Sequence, residues 1–529
     1  MRIFKNAKIY SMDKDDNIYE ALAVENGRIA FAGSNEEVLK QYSDCKDIED
    51  IIDLEGRTVV PGFNDSCVRF VEYARFNTML NLSKCKSIKE IIDLAKDSKK
   101  HGGWVIGWGW NQDYFEEKRM LTKNDLDSIS NEYPIAFRRC CGEMIAANSK
   151  ALEICGIDEK MKSDSIDFEN GLISSKDMIL ILSKLKSLEI DTLKSIILDT
   201  QEAFFKMGIT SVQTDDLRSL PDFDYRKIID AYQKLNREKK LKIRVCEQAQ
   251  FIDKKDIDDF RQYYYYQYIN DERFKVSRIK LIIDGAIGSR TALLKDDYND
   301  AKGFRGISQY KQEDLDELVA YANSLDYSLA IQATGDGAID MALNAIEKIK
   351  DTKDFKYRRN GLMYCQITDK KLFEKMKELN VGIYYQPIFL HYDMHIVEDR
   401  VGEQKASTSY AYKTAKDIGI NIGFGSSGPI DGISVMEGIH CAVNREDLNG
   451  WPKSGWMPQE KLTVKEAVYL YTMGSAYMSS EDDIKGSIEE DKLADFVVLD
   501  KDIFETDTNE IKNIKVLKTI IDGDIVYSA

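Results

Sequence analysis

Apolar and polar positions alternate in short runs over the first sixty residues. Residues 3–4, 8–10, 21–24 and 28–31 read as brief strands, and Asn26-Gly27 marks a tight turn between the last two. Residues 51–60 continue the pattern. The C-terminal end has the same character. Residues 493–499 and 516–521 are strand-like, and Asp522-Gly523 turns the chain into 524–527. The two ends are therefore expected to share one small β-sandwich, residues 1–60 and 480–529.

Between the ends the period changes. Strand-length apolar runs at 135–139, 208–213, 242–246, 277–284, 328–332, 362–364, 382–386 and 421–425 alternate with helical spacing at 191–207, 225–240, 312–325 and 369–379. Strand and helix alternating at this length predict an α/β fold, a parallel (β/α)8 TIM barrel over 61–479. Function in that architecture sits at the strand C-termini. The tyrosine run 263–266 lies in a charged, helical context and reads as a helix packing surface. Trp104, Trp108 and Trp110 fall at strand spacing and read first as core, second as a wall for an apolar substrate group.

The length of 529 residues admits two to four domains, or one large barrel with additions. Apolar residues make up 43% and prolines number only seven, which argues against long disordered linkers. The net charge of −17 argues against nucleic acid or an anionic membrane as partner and favours a soluble, cytoplasmic protein. The first residues lack the apolar core of a signal peptide, and no run approaches the roughly 18 apolar residues of a membrane helix. Nine cysteines form no CxxC pair and read as free thiols.

Several runs carry a family resemblance. They are Val60-Pro61-Gly62-Phe63 with Asp65-Ser66, Asn148 to Leu152, Gly208 to Val212, and Lys280-Leu281 with Asp284-Gly285-Ala286-Ile287-Gly288-Ser289-Arg290-Thr291-Ala292. Gly335-Asp336-Gly337, Gln386-Pro387 and Lys492 to Asp500 continue it. The chain resembles the YtcJ-like branch of the amidohydrolase superfamily over nearly its whole length. The resemblance implies a TIM barrel of amidohydrolase type, with a composite β-sandwich from both termini and a subdomain inserted around 70–200. It implies hydrolysis of a non-peptide C–N bond (an amide, a urea or a cyclic imide) in a small substrate.

In that superfamily the barrel holds divalent metal. Carried over position by position, the two histidines of the first strand become Cys67 and Arg69, and the bridging lysine is kept as Lys280. The histidine of the fifth strand becomes Gln332, that of the sixth Tyr364, and the final aspartate Ser427. Histidines the family often carries after strands two and three correspond to Glu143 and Gln213. Only four histidines exist in the chain: His101, His391, His395 and His440. Arginine cannot lose its proton and so cannot ligate. These replacements predict no binuclear metal centre and no cofactor. Two other metal arrangements stay open: a thiolate site using Cys140 or Cys141, and the i, i+4 pair His391 and His395.

The predicted barrel mouth holds Asp65, Cys67, Arg69, Glu143, Gln213, Lys280, Asp284, Gln332, Tyr364 and Ser427. It reads either as a rebuilt pocket for a small substrate, an anionic one among the candidates, or as a structural plug of paired charges. Two mechanisms fit the first reading. Cys67 would be a nucleophile beside Arg69 and Lys280, with Glu143 or Asp284 moving protons. Alternatively, Lys280 or Tyr364 would act as acid or base on a substrate held by Arg69. Gln213, Arg290, Gln332 and Ser427 complete the expected substrate contacts. The rival reading is a catalytically inactive homologue that binds a small ligand or acts as a scaffold. A homodimer fits the resemblance, and no sequence feature selects it.

Overall fold

The computed structural model describes every residue except Cys141, Glu143, Lys162, Asp164, 268–270 and Asp431. Two compact units are present. One is Met1–Val68, Leu198–Asp215 and Tyr232–Ala529; the other is Arg69–Ile197 with Asp216–Ala231.

The larger unit contains eight parallel strands in chain order: Phe63–Val68, Ile209–Thr214, Arg244–Gln250, Phe274–Ile282, Ser328–Ala333, Gly361–Tyr364, Gly382–Tyr385 and Ile422–Phe424. Each pairs with the next by a parallel ladder. Strands such as Ser328–Ala333, Gly361–Tyr364 and Ile422–Phe424 read as mostly apolar runs, as strands covered on both faces do, whereas Phe63–Val68 and Arg244–Gln250 carry several polar residues. The first and eighth strands close the ring through backbone rather than a ladder: Ser427 N–H donates to the Cys67 carbonyl at 2.7 Å. Gly425 is required at this seam. A Cβ there would lie 2.5 Å from the Cys67 nitrogen and 2.7 Å from an Asp65 carboxylate oxygen.

The two termini build one composite sheet beside the barrel. Its long strand Asp50–Pro61 pairs in parallel with Arg2–Tyr10 and antiparallel with Phe496–Leu499. Val516–Ile521 and Asp524–Ser528 extend one edge, Ala21–Glu25 and Arg28–Gly33 the other. Phe4, Leu22, Val59, Phe496, Val498 and Ile520 fill one face, with Phe4 edge-on to Phe496 at 4.9 Å. Helix Asn35–Gln41 covers the other with Val38; Ser34 and Glu37 form its capping box.

The smaller unit has a six-stranded mixed sheet. The strand expected at 135–139 forms as Ile135–Arg139 but belongs to this sheet, not to the barrel. Trp104 and Trp110 are both buried, yet they join different core clusters. Simple alternation would put them on one face. The register shifts between Trp108 and Trp110, and Gly109 there adopts φ 96°, a bulge that turns Trp110 over. In the tyrosine run, Tyr264 is buried and stacks on Phe260 with ring centroids 5.1 Å apart. No helix among the described residues is long and apolar enough to cross a membrane.

Candidate active site

The C-terminal ends of the barrel strands bring together a small set of buried polar groups. Among them Lys280 Nζ donates to Asp215 Oδ2 at 2.7 Å, the two side chains being 1% and 4% exposed. Lys280 sits on the fourth strand in register with Ala330 of the fifth. Asp215 directly follows the second strand and lies two residues beyond Gln213, on the same side by the pleat. Sequence reasoning passed over Asp215. It had stopped at Gln213, the position matched to the family, although the period-two rule extends to the next inward residue.

Cys67 lies in an apolar environment. Ala330, Met363, Tyr364, Tyr384 and Met478 form the buried cluster around it. A thiol among such groups behaves as a small hydrophobe. Alternation along the sixth strand would send Met363 and Tyr364 to opposite faces. Both join this cluster, because Tyr364 adopts φ 73° and Cys365 φ 42°. Cys365 follows in this irregular stretch; it is buried, and burial pushes its thiol up. Tyr364 stacks on Phe389, and its hydroxyl lies 3.2 Å from the Ser427 hydroxyl.

Two carboxylates expected at the mouth are tied into the scaffold. Asp65 accepts from the Ser426 N–H at 3.0 Å, the Ser426 hydroxyl and the Cys67 N–H at 3.1 Å. Burial raises it to about 6 against those hydrogen bonds. Asp284 accepts backbone N–H bonds from Leu293 at 2.8 Å, Thr334 at 2.8 Å and Gly335 at 2.9 Å. Burial raises it to about 7, with the same N–H groups opposing. It clamps two loops together. Gln332 donates to the Asp284 carbonyl at 2.8 Å, while its buried Oε1 has no hydrogen-bond partner among the described residues. Gln213 donates to the Ser475 carbonyl at 2.8 Å.

Other expected residues that the structure describes have partners of their own. The first strand ends at Val68, so Arg69 is not a strand residue; it begins the smaller unit as the N-cap of helix Phe70–Phe76, 3.7 Å from Glu72. Glu143 and Cys141 lie outside the described residues. Arg290 is half-buried and makes a two-toothed ion pair with Asp300, at 3.0 and 2.8 Å. Asp336 accepts from the Lys295 N–H and pairs with Lys405. His395 Nε2 lies 3.0 Å from Asp447 and its ring stacks on Trp451, while His391 Nδ1 accepts from the Leu448 N–H. Among the described residues no three His, Cys, Asp or Glu side chains converge as a metal site would require. A buried carboxyl that sequence reasoning missed is Asp393, raised to about 7 by burial and bonded to Tyr410 and Gln366.

The chain matches the profile of the Amidohydrolase family over residues 50–527. It is 30% identical to YtcJ of Bacillus subtilis (strain 168), a protein with amidohydrolase in its name, over 99% of each chain. It is 24% identical to the N-substituted formamide deformylase of Arthrobacter pascens, over 99% of this chain and 97% of that one. Among solved structures it is similar to an uncharacterized metal-dependent hydrolase from Pyrococcus horikoshii OT3. That pair is 26% identical with a TM-score of 0.80, covering 96% of this chain and 99% of the other.

Proposed function

The chain belongs to the amidohydrolase family, and from that premise we propose that it hydrolyses the C–N bond of a small amide- or formamide-class substrate without the family's binuclear metal. The buried Lys280–Asp215 pair carries the reading. The donor set does not fit a metal centre. The matched positions offer a thiol in an apolar cluster, an arginine, two neutral hydrogen bonders and a hydroxyl. Lys280, the one matched ligand retained, is engaged by a carboxylate.

In the proposed reaction Asp215 takes a proton from water as the water oxygen bonds to the carbonyl carbon. The Lys280 ammonium stabilises the oxyanion that forms, and the Tyr364 and Ser427 hydroxyls donate to it. As the C–N bond breaks, the proton passes from Asp215 to the leaving nitrogen, giving a carboxylic acid and an amine. Cys67 has no part in it; it packs among Ala330, Met363, Tyr384 and Met478.

A panel of formamides, amides and ureas tested on the full chain, before and after chelation, checks this. Turnover is expected to survive chelation and to be lost in Lys280→Met. Turnover that requires an added divalent metal would overturn the mechanism. One observation favours a second reading, ligand binding without chemistry: Asp284, expected to move protons, is spent on three backbone N–H groups. Saturable binding of panel members with no turnover would select it.

A further inference from the structure

The smaller unit holds a cavity of its own, of about 140 Å³. Met79, Ile106, Ile181 and Leu220 form much of its apolar wall. Four charged side chains also reach it: Glu72, Arg75, Arg138 and Arg218. Three guanidinium groups thus face one carboxylate.

That carboxylate is already committed. Glu72 accepts from Arg138 and lies 3.7 Å from Arg69. Burial works to raise it, but the charges of Arg138, Arg69 and Arg75 outweigh burial and hold it below the usual range. Arg75 is left in a different position. It is 9% exposed and donates through one nitrogen to the Ser219 carbonyl. Among the described residues no carboxylate lies within ion-pair distance of it. Asp222, which acts on it from further away, pairs with Lys227 at 2.6 Å. Burial lowers Arg75 to about 10; Glu72 opposes the shift and the like charge of Arg138 adds to it. A guanidinium offers five N–H donors in a planar fork suited to a carboxylate. Keeping such a group buried without a counter-ion is costly. Arg218 lies over the Phe223 ring at 4.8 Å.

We propose that this cavity binds a small monocarboxylate with an apolar body, its carboxylate on Arg75 and its body among Met79, Ile106, Ile181 and Leu220. Size sets the class. An apolar cavity of roughly 150 Å³ takes a benzene ring, so the fitting body has about six carbons, as in benzoate or a short fatty acid. The committed Glu72 disfavours a cation, and the unmatched charge of Arg75 disfavours a neutral ligand.

The test titrates the full chain with benzoate, benzyl alcohol and benzylamine, followed by calorimetry. Benzoate is expected to bind saturably. The alcohol and the amine should each bind roughly tenfold more weakly or worse, as loss of a charge-assisted hydrogen bond requires. Arg75→Met should weaken benzoate by a similar factor. Ile181→Trp fills the cavity from the apolar side, leaves the charges unchanged and should abolish binding. Equal affinity for benzoate and benzyl alcohol would overturn the proposal, as would wild-type affinity in either folded variant. If neither variant folds, the charge series on the native chain still decides.

Discussion

Replacing Lys280 by methionine leaves Asp215, 4% exposed, as a buried carboxylate without its ammonium. Breaking a buried pair from one side costs about 3–5 kcal/mol, whereas replacing both partners by apolar groups of similar volume is often neutral. Lys280→Met should therefore destabilise by about that much in urea unfolding, and adding Asp215→Leu should restore most of it. Near-additive losses in the double variant would mean that the two side chains act separately. Cys67 makes the opposite prediction. Packed among Met363, Tyr384 and Met478, it should react with iodoacetamide far more slowly than the half-buried Cys140 and Cys155, and Cys67→Ala should keep turnover. Fast, selective labelling of Cys67 with loss of activity would reinstate it as nucleophile. Lys280 was legible from its place in the Lys280-Leu281 to Asp284-Gly285 run. Its partner was not, because matching to a family names the positions the family uses and is silent about a compensating charge two residues away.

At the scale of elements, buried carboxyls act as clamps between loops, and pH acts through them. Asp393, at the end of helix Leu390–Asp393, accepts from Tyr410 at 2.8 Å and Gln366 at 3.1 Å. Burial raises it from 3.8 to about 7. A carboxyl raised in the folded state holds its proton longer there than in the unfolded chain. Its contribution to stability is therefore complete below pH 3.8 and is lost as pH rises to about 7. Asp65 and Asp284 act in the same direction; the half-buried His391 and the buried His440, both lowered by burial, oppose them. Asp393→Asn keeps an acceptor for Tyr410 but cannot titrate. Its melting temperature should fall less steeply between pH 4 and 7 than that of the native chain; identical slopes would remove Asp393 from the account. Barrel strands such as Ser328–Ala333 and Ile422–Phe424 were legible because a strand covered on both faces favours an apolar run, whereas the polar Phe63–Val68 was placed by the family resemblance alone. Their ends were less so. Regular alternation fails where Tyr364, Cys365 and Ser427 take positive φ, and the inward or outward direction of a side chain is then set by loop packing that no two-residue period encodes.

At the scale of the whole chain, the composite sheet joins its two ends, and the join is electrostatic as well as apolar. Arg244 begins the third barrel strand, is 3% exposed, and pairs with Asp495 through two nitrogens at 2.6 and 2.8 Å. It also bonds to Asp522, which bonds in turn to Arg273. The long strand Asp50–Pro61 needs Phe496–Leu499 on one edge and Arg2–Tyr10 on the other. A chain cut after Ala494 would lose three effects together. Phe496, Val498 and Ile520 leave the sheet core, at about 1.5–3 kcal/mol each. Asp50–Pro61 gains an open edge that invites pairing with other chains. Arg244 and Arg273 lose their carboxylates while the barrel strands still bury them. The losses are of the same order as the roughly 5–15 kcal/mol by which domains are stable, and with the open edge the truncated chain should be recovered as aggregate. Arg244→Met in the full chain isolates the electrostatic share, because it leaves core and edge intact and strands only Asp495. It should remain soluble and melt lower. A truncated chain that stays soluble with a native far-UV spectrum would mean that the barrel folds without its C-terminal strands.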